Sequence, residues 1–179
     1  MFHFPPMPSW DGLHPLIVHF PIALLLVVPI FLLIAIFLKQ DRGRAFLISA
    51  FLLLAIGTFS VFMAVRTGEA AGKLADRTPQ INAVLENHEK LAENTRTLFG
   101  SLTLLLAIVL VVPNFLGRPE PRPAYVGSLI VYLLLYSMGI MALVNTAHNG
   151  GRLVHEFGVH SLIAPTTTGP APTDTGDGE

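Results

Sequence analysis

The chain of 179 residues contains no cysteine. Disulfides, iron–sulfur clusters and thiolate zinc sites are therefore excluded, and any metal or cofactor falls to histidine, methionine, tyrosine or carboxylate. Charge is also scarce. Asp, Glu, Lys and Arg make up 13% of the residues, against roughly 25% in an ordinary soluble domain. There is no phosphate-binding loop, no nucleophile elbow and no basic nucleic-acid patch. Nucleotide-driven chemistry, serine-hydrolase chemistry and nucleic-acid partners are accordingly set aside.

The charge that exists lies between four apolar runs, at residues 16–38, 45–65, 98–116 and 124–144, none of which contains Asp, Glu, Lys or Arg. A spanning helix needs about 20 apolar residues, and each run has that length. The expected fold is an all-α integral membrane four-helix bundle of up-down-up-down topology, occupying residues 15–163. An outer N-terminal segment of residues 1–14 precedes it, and a Thr/Pro/Gly-rich tail at 164–179, expected to be disordered, follows. The start lacks a basic n-region and a small-residue cleavage site, so it does not read as a cleaved signal peptide. Charge is missing at mid-membrane, which disfavours an ion channel or a proton-coupled transporter.

Basic residues set the direction. The links at 39–44 and 117–123 carry five Lys or Arg, namely Lys39, Arg42, Arg44, Arg118 and Arg122. The other six (Arg66, Lys73, Arg77, Lys90, Arg96 and Arg152) are spread over the much longer remainder. The short links are thus expected in the cytoplasm. Both termini are then expected to be non-cytoplasmic, on the periplasmic side of a bacterial inner membrane. Asp11 or His14 can cap the first helix. Pro21 and Pro29 each remove a backbone donor, so that helix is expected to kink or widen. Residues 66–97 form the outer connection. Within it Ile81, Val84, Leu85, Leu91, Leu98 and Leu102 keep helical spacing, which predicts one helix from about residue 79 to residue 116. Tyr125, Ser128, Tyr132, Tyr136 and Gly139 form a stripe on the fourth helix that reads as a packing face, and Gly57 and Gly100 suit the same role.

By this topology all seven histidines lie in the outer half of the molecule. His19 stands one turn into an apolar helix, where an imidazole faces a partner in the bundle or snorkels to the headgroups. His88 is central on the apolar stripe of its helix, as a ligand or as a satisfied core histidine. His148 follows the last span, and Gly150-Gly151 is expected to break the helix there and to fold Arg152, His155 and His160 back over the bundle. The bland alternative is a glycine cap with surface histidines. His14 and His19 are about 140° apart on a regular helix, so one can face a cofactor while the other makes a hydrogen bond. His3 reads as incidental. Arg66 can pair with Glu69 or bind a haem propionate or lipid phosphate. Histidines projecting inward from facing helices hold haem or metal in bundles, and without Cys-x-x-Cys-His a haem is of the b type. Copper and zinc also suit neutral imidazole.

Leu13-His-Pro-Leu-Ile-Val-His-Phe-Pro-Ile22 and His148-Asn-Gly-Gly-Arg-Leu-Val-His-Glu-Phe-Gly-Val159, with Thr67-Gly68 and His88 between them, resemble the bacterial membrane proteins called domain of unknown function 2231. The resemblance spans about residues 13–160. His14, His19, His88 and His148 match family positions, whereas His155 stands where relatives commonly carry an aromatic residue. Relatives are sometimes fused to Rieske or c-type cytochrome domains, which implies a respiratory setting.

The expected function is a membrane electron-transfer subunit binding haem b, near a quinone and with a Rieske or cytochrome c partner. It reads as an accessory subunit rather than a stand-alone enzyme. Its cofactor residues are His14, His19, His88, His148, Arg66 and Arg152. His19 with His88 or His148 supplies the axial pair, and His19, His88 and His148 are the candidate metal ligands. The alternatives are a structural anchor or assembly subunit of a larger respiratory complex, and an outer-face copper or zinc protein.

Overall fold

A computed structural model describes residues 7–75, 77–115 and 121–159. His3, His160 and the tail at 164–179 lie outside them, as does most of the link at 117–123. The described residues form a short 3-10 turn (Asp11–Leu13) and five helices: α1 (His14–Ile17), α2 (His19–Phe37), α3 (Gln40–Gly72), α4 (Pro79–Phe115) and α5 (Arg122–His155). No strand occurs among them. Four helical stretches are long and apolar enough to cross a membrane, the first running from Asp11 through α2 and the others being α3, α4 and α5.

Neighbours in sequence are neighbours in space, α2 with α3, α3 with α4 and α4 with α5, and α5 closes back onto α2. The result is a square bundle in which α2 stands diagonally from α4. The 3-10 turn and α1 pack on α3. Lipid offers apolar helices no hydrophobic drive to associate, so close packing and hydrogen bonds must hold them. Leu25, Val28, Leu32, Leu54, Phe99, Leu106 and Leu129 are fully buried, while Phe20, Leu52, Phe59, Leu134 and Met138 face outward with more than half their surface exposed. An apolar exterior of this kind suits lipid rather than water.

Backbone approach is closest where α2 meets α3. A Cβ on Gly43 would lie 2.7 Å from the Ala35 carbonyl, and one on Gly57 2.7 Å from the Leu25 side chain. Gly100 has nothing within 4 Å of such a Cβ, whereas one on Gly139 would lie 3.0 Å from Leu102, so Gly57 and Gly139 have the anticipated packing role and Gly100 does not. The tyrosine stripe is indeed a buried face, with Tyr125, Tyr132 and Tyr136 all in the core.

The prolines in the first span act differently. The helix is interrupted at Val18, between α1 and α2. That is one residue after Ile17, whose carbonyl has no partner at Pro21. No side chain caps either start, neither Asp11 nor His14. Pro29 leaves the Leu25 carbonyl without its usual donor, yet α2 continues through it. The Tyr136 hydroxyl of α5 donates to that carbonyl at 2.8 Å, so a side chain from a neighbouring helix replaces the missing N–H.

The connection between the hairpins is mostly helix. α3 continues to Gly72 and α4 begins at Pro79, with the Thr78 hydroxyl accepting from the Ile81 N–H at 3.3 Å. At about 1.5 Å per residue, α3, α4 and α5 each approach or exceed ~50 Å, well beyond the ~30 Å of a bilayer core. Their excess lies mainly at the end opposite the short links, called here the histidine end.

One expectation about the C-terminal segment is corrected. The chain does not break at Gly150-Gly151; α5 runs through both glycines to His155. Burial of Asn149 and Leu153 against α4 outweighs the ~1 kcal/mol that each glycine costs a helix. The turn comes later, at Gly158, whose φ of 63° suits a residue without a Cβ. There the Val159 N–H returns to the Leu153 carbonyl at 2.9 Å. Phe157 and Val159 then cover a small separate core of Ile81, Leu85 and Leu153.

Candidate functional site

The interruption at Val18 separates the two histidines of the first segment. His14 is half-buried and faces the bundle; His19 is exposed on the outside. The His14 Nδ1–H donates to the Ala64 carbonyl of α3 at 2.9 Å, and the Thr67 hydroxyl lies 3.3 Å from the same nitrogen. Thr67 is fully buried and donates to the Met63 carbonyl at 2.9 Å. The ring lies against Gly68, where an added Cβ would come within 2.9 Å of its Cε1. Thr67-Gly68 is therefore the seat of His14: the threonine lies beside its nitrogen and the glycine makes room for its ring.

His88 repeats the design on the opposite hairpin. Its Nδ1–H donates to the Thr146 carbonyl of α5 at 3.0 Å. A Cβ on Gly150 would lie 3.0 Å from its Cε1. The Thr95 and Thr146 hydroxyls meet at 2.9 Å below it, and Asn87 donates to Asn149 Oδ1 at 3.1 Å beside it. Gly150 keeps the helix and makes room for the ring. In both histidines a carbonyl, which can only accept, fixes the proton on Nδ1 and leaves a lone pair on Nε2.

Both rings sit outside the four apolar runs. Burial pushes each below the ordinary imidazole value of 6.5. For His14 this wins over the bond to Ala64, and repulsion from His88 adds to it. For His88 it wins over the bond to Thr146 and the pull of the Glu89 carboxylate. Burial therefore favours the neutral form of both rings, and a charge on His88 would favour it further at His14.

The remaining sequence candidates are placed elsewhere. His148 and His155 are exposed on α5. Arg152 pairs with Glu156 at 2.9 Å and Arg66 with Glu69 at 3.9 Å, each within its own helical segment and partly or largely exposed. Among the described residues no three His, Asp or Glu side chains come close enough to hold a metal ion together, so His19, His88 and His148 do not assemble into a metal site. What sequence reading missed is the seating of His14 on Ala64, Thr67 and Gly68 and of His88 on Thr146 and Gly150.

A square bundle of four membrane-length helices, with one imidazole seated on α3 and another on α5 at the same end, defines a membrane protein with two buried, hydrogen-bonded histidines outside its apolar runs. The model of the predicted membrane protein family DUF2231 matches residues 11–162, and the chain belongs to that family. No curated protein and no solved structure matches it.

Proposed function

We propose that His14 and His88 are the axial ligands of a haem b, and that the protein transfers electrons at the histidine end of the bundle. The observation that carries this reading is the shared tautomer: each Nδ1 is tied to a backbone carbonyl of the adjacent helix. Metal-bound histidines are oriented in this way, because the outer hydrogen bond fixes the ring and raises the basicity of Nε2. Haem also needs only two protein ligands, whereas structural zinc needs about four and catalytic zinc about three, so a pair favours haem over copper or zinc. The donor chemistry suits haem: one imidazole from the first span and one from α4, each with Nε2 left free by the bond at Nδ1 and with glycine against the ring. When bound, the haem supplies one-electron chemistry. The protein's part is to hold the two rings and to keep them unprotonated. His19, His148, Arg66 and Arg152, which are partly or largely exposed, would act at most at the periphery, and a quinone or a Rieske or c-type cytochrome would be the redox partner. We place the histidine end on the periplasmic side of the inner membrane, following the basic links.

A second reading is favoured by the same bonds. Each histidine also pins two elements together, α1 to α3 and α4 to α5, as a purely structural anchor or assembly subunit would need. The readings separate at His88→Asn and His14→Asn. Asparagine keeps a donor near the Nδ1 position and has nothing at Nε2. The haem reading expects a b-type reduced-minus-oxidised band in the purified protein, lost in both variants while the fold survives, and kept in His19→Ala. A wild-type protein with no such band, after expression with ample haem, sinks the haem reading and leaves the structural one.

A further inference from the structure

The geometry points to a second site, independent of any haem: a pocket that takes the headgroup of an anionic phospholipid. It lies where α3 leaves the apolar layer. Val65 ends the apolar run and Arg66 follows it. Arg66, Glu69, Ala70 and Lys73 are spaced i, i+3, i+4 and i+7, so they share one face. That face opens toward Trp10, just before the 3-10 turn. Together with Met63 these residues line a cavity of about 420 Å³.

Position, charge and shape agree. Arg66 and Lys73 are separated by about 10 Å along the helix axis, comparable with the roughly 5–8 Å of one headgroup layer. Met63, one turn below Arg66, gives the pocket an apolar floor of the kind a glycerol and the first acyl carbons require. Trp10 is half-exposed, and tryptophan is enriched at this depth because its ring is apolar and its N–H is a donor. Two cations face one carboxylate. The Arg66–Glu69 pair is long, at 3.9 Å, and solvent-exposed at 70% and 41%, so it does little to hold the arginine away from another anion. The negative end of the α3 dipole opposes an anion here; Arg66 and Lys73 are the groups that outweigh it.

The chain carries one tryptophan, and it lines this pocket, so its emission reports occupancy. The full chain in dodecyl maltoside is titrated with dioctanoyl phosphatidylglycerol, dioctanoyl phosphatidylcholine and inorganic phosphate. The expected result is a saturable change in Trp10 emission with phosphatidylglycerol, at least ~10-fold tighter than with phosphatidylcholine. At about a few-fold to tenfold per basic residue near a charged surface, Arg66→Gln/Lys73→Gln weakens binding roughly 10- to 30-fold. Glu69→Gln tightens it, and Lys39→Gln/Arg42→Gln at the far end changes nothing. Equal affinity for inorganic phosphate means a free-anion site and overturns the proposal. So does equal affinity for phosphatidylcholine, absence of a saturable change, or an Arg66→Gln/Lys73→Gln response like the wild type.

Discussion

Glycine at Gly68 and Gly150 is a packing requirement, and neighbouring Gly151 provides the contrast. Nothing lies within 4 Å of a Cβ on Gly151, whereas one on Gly150 meets the His88 ring at 3.0 Å. Gly151→Ala should therefore stabilise by up to ~1 kcal/mol through helix propensity alone. Gly150→Ala gains the same propensity but must move a hydrogen-bonded imidazole, and overpacking costs about 1–3 kcal/mol. Thermal unfolding in detergent should give opposite signs at the two positions; an equal gain at both means the His88 ring is not fixed by its seat. The histidines also impose a pH dependence. Their folded-state values lie below the ordinary 6.5. The stability they contribute is present above that value and is lost as pH falls through the depressed values, because protonation is easier in the unfolded chain. The unfolding midpoint should drop between pH ~7.5 and ~5, and His14→Asn/His88→Asn should flatten that drop. A wild-type curve level over this range means that the rings are not held neutral by the fold.

Elements were legible in the sequence to the extent that composition alone decides them. The four runs free of charge marked the spans, and the spacing of Ile81, Val84 and Leu85 carried α4 out of the membrane to Pro79. The continuation of α5 through Gly150-Gly151 was not legible, since local propensity argues for a break and only the burial of Asn149 and Leu153 overrides it. Nor was the seating of His14 on α3 and of His88 on α5. Each seat depends on which helices pack together, α1 on α3 and α4 on α5, and that is a tertiary fact. The site is nevertheless foreshadowed by Thr67-Gly68, an ordinary dipeptide until the His14 ring is seen to lie on it. Pro29 is a similar case. Its missing donor was readable, but the replacement, Tyr136, 111 residues from Leu25 in sequence, was not. Tyr136→Phe should cost about 1–3 kcal/mol, because it leaves the buried Leu25 carbonyl unpaired. In a Pro29→Ala background the backbone regains an N–H that can serve Leu25, and the same change should cost less. A double-mutant cycle in chemical or thermal denaturation reads the coupling, and a coupling near zero refutes the replacement.

At the scale of the molecule, one end differs from the other. At the link end the chain runs from α2 into α3 with only Leu38 and Lys39 between the helices. The histidine end carries the overhang of three helices, the imidazole pair, the phospholipid pocket and the small core under Phe157. If electrons move through this protein, the side of the membrane that the histidine end faces decides which partners can reach it. Five Lys or Arg in the two links argue for a cytoplasmic link end. The cysteine-free sequence makes the test direct, since any introduced thiol is the sole target of a maleimide. Ser9→Cys lies before α1 and Asn82→Cys in the first turn of α4, both exposed at the histidine end; Asp41→Cys is exposed at the link end. In intact cells a membrane-impermeant maleimide should label the first two, and Asp41→Cys should label only after lysis. The reverse pattern would place the histidine pair in the cytoplasm and exclude a periplasmic Rieske or c-type cytochrome as its direct partner. Labelling of all three sites in intact cells would mean that the chain inserts in both directions, and the basic links would then not determine its orientation.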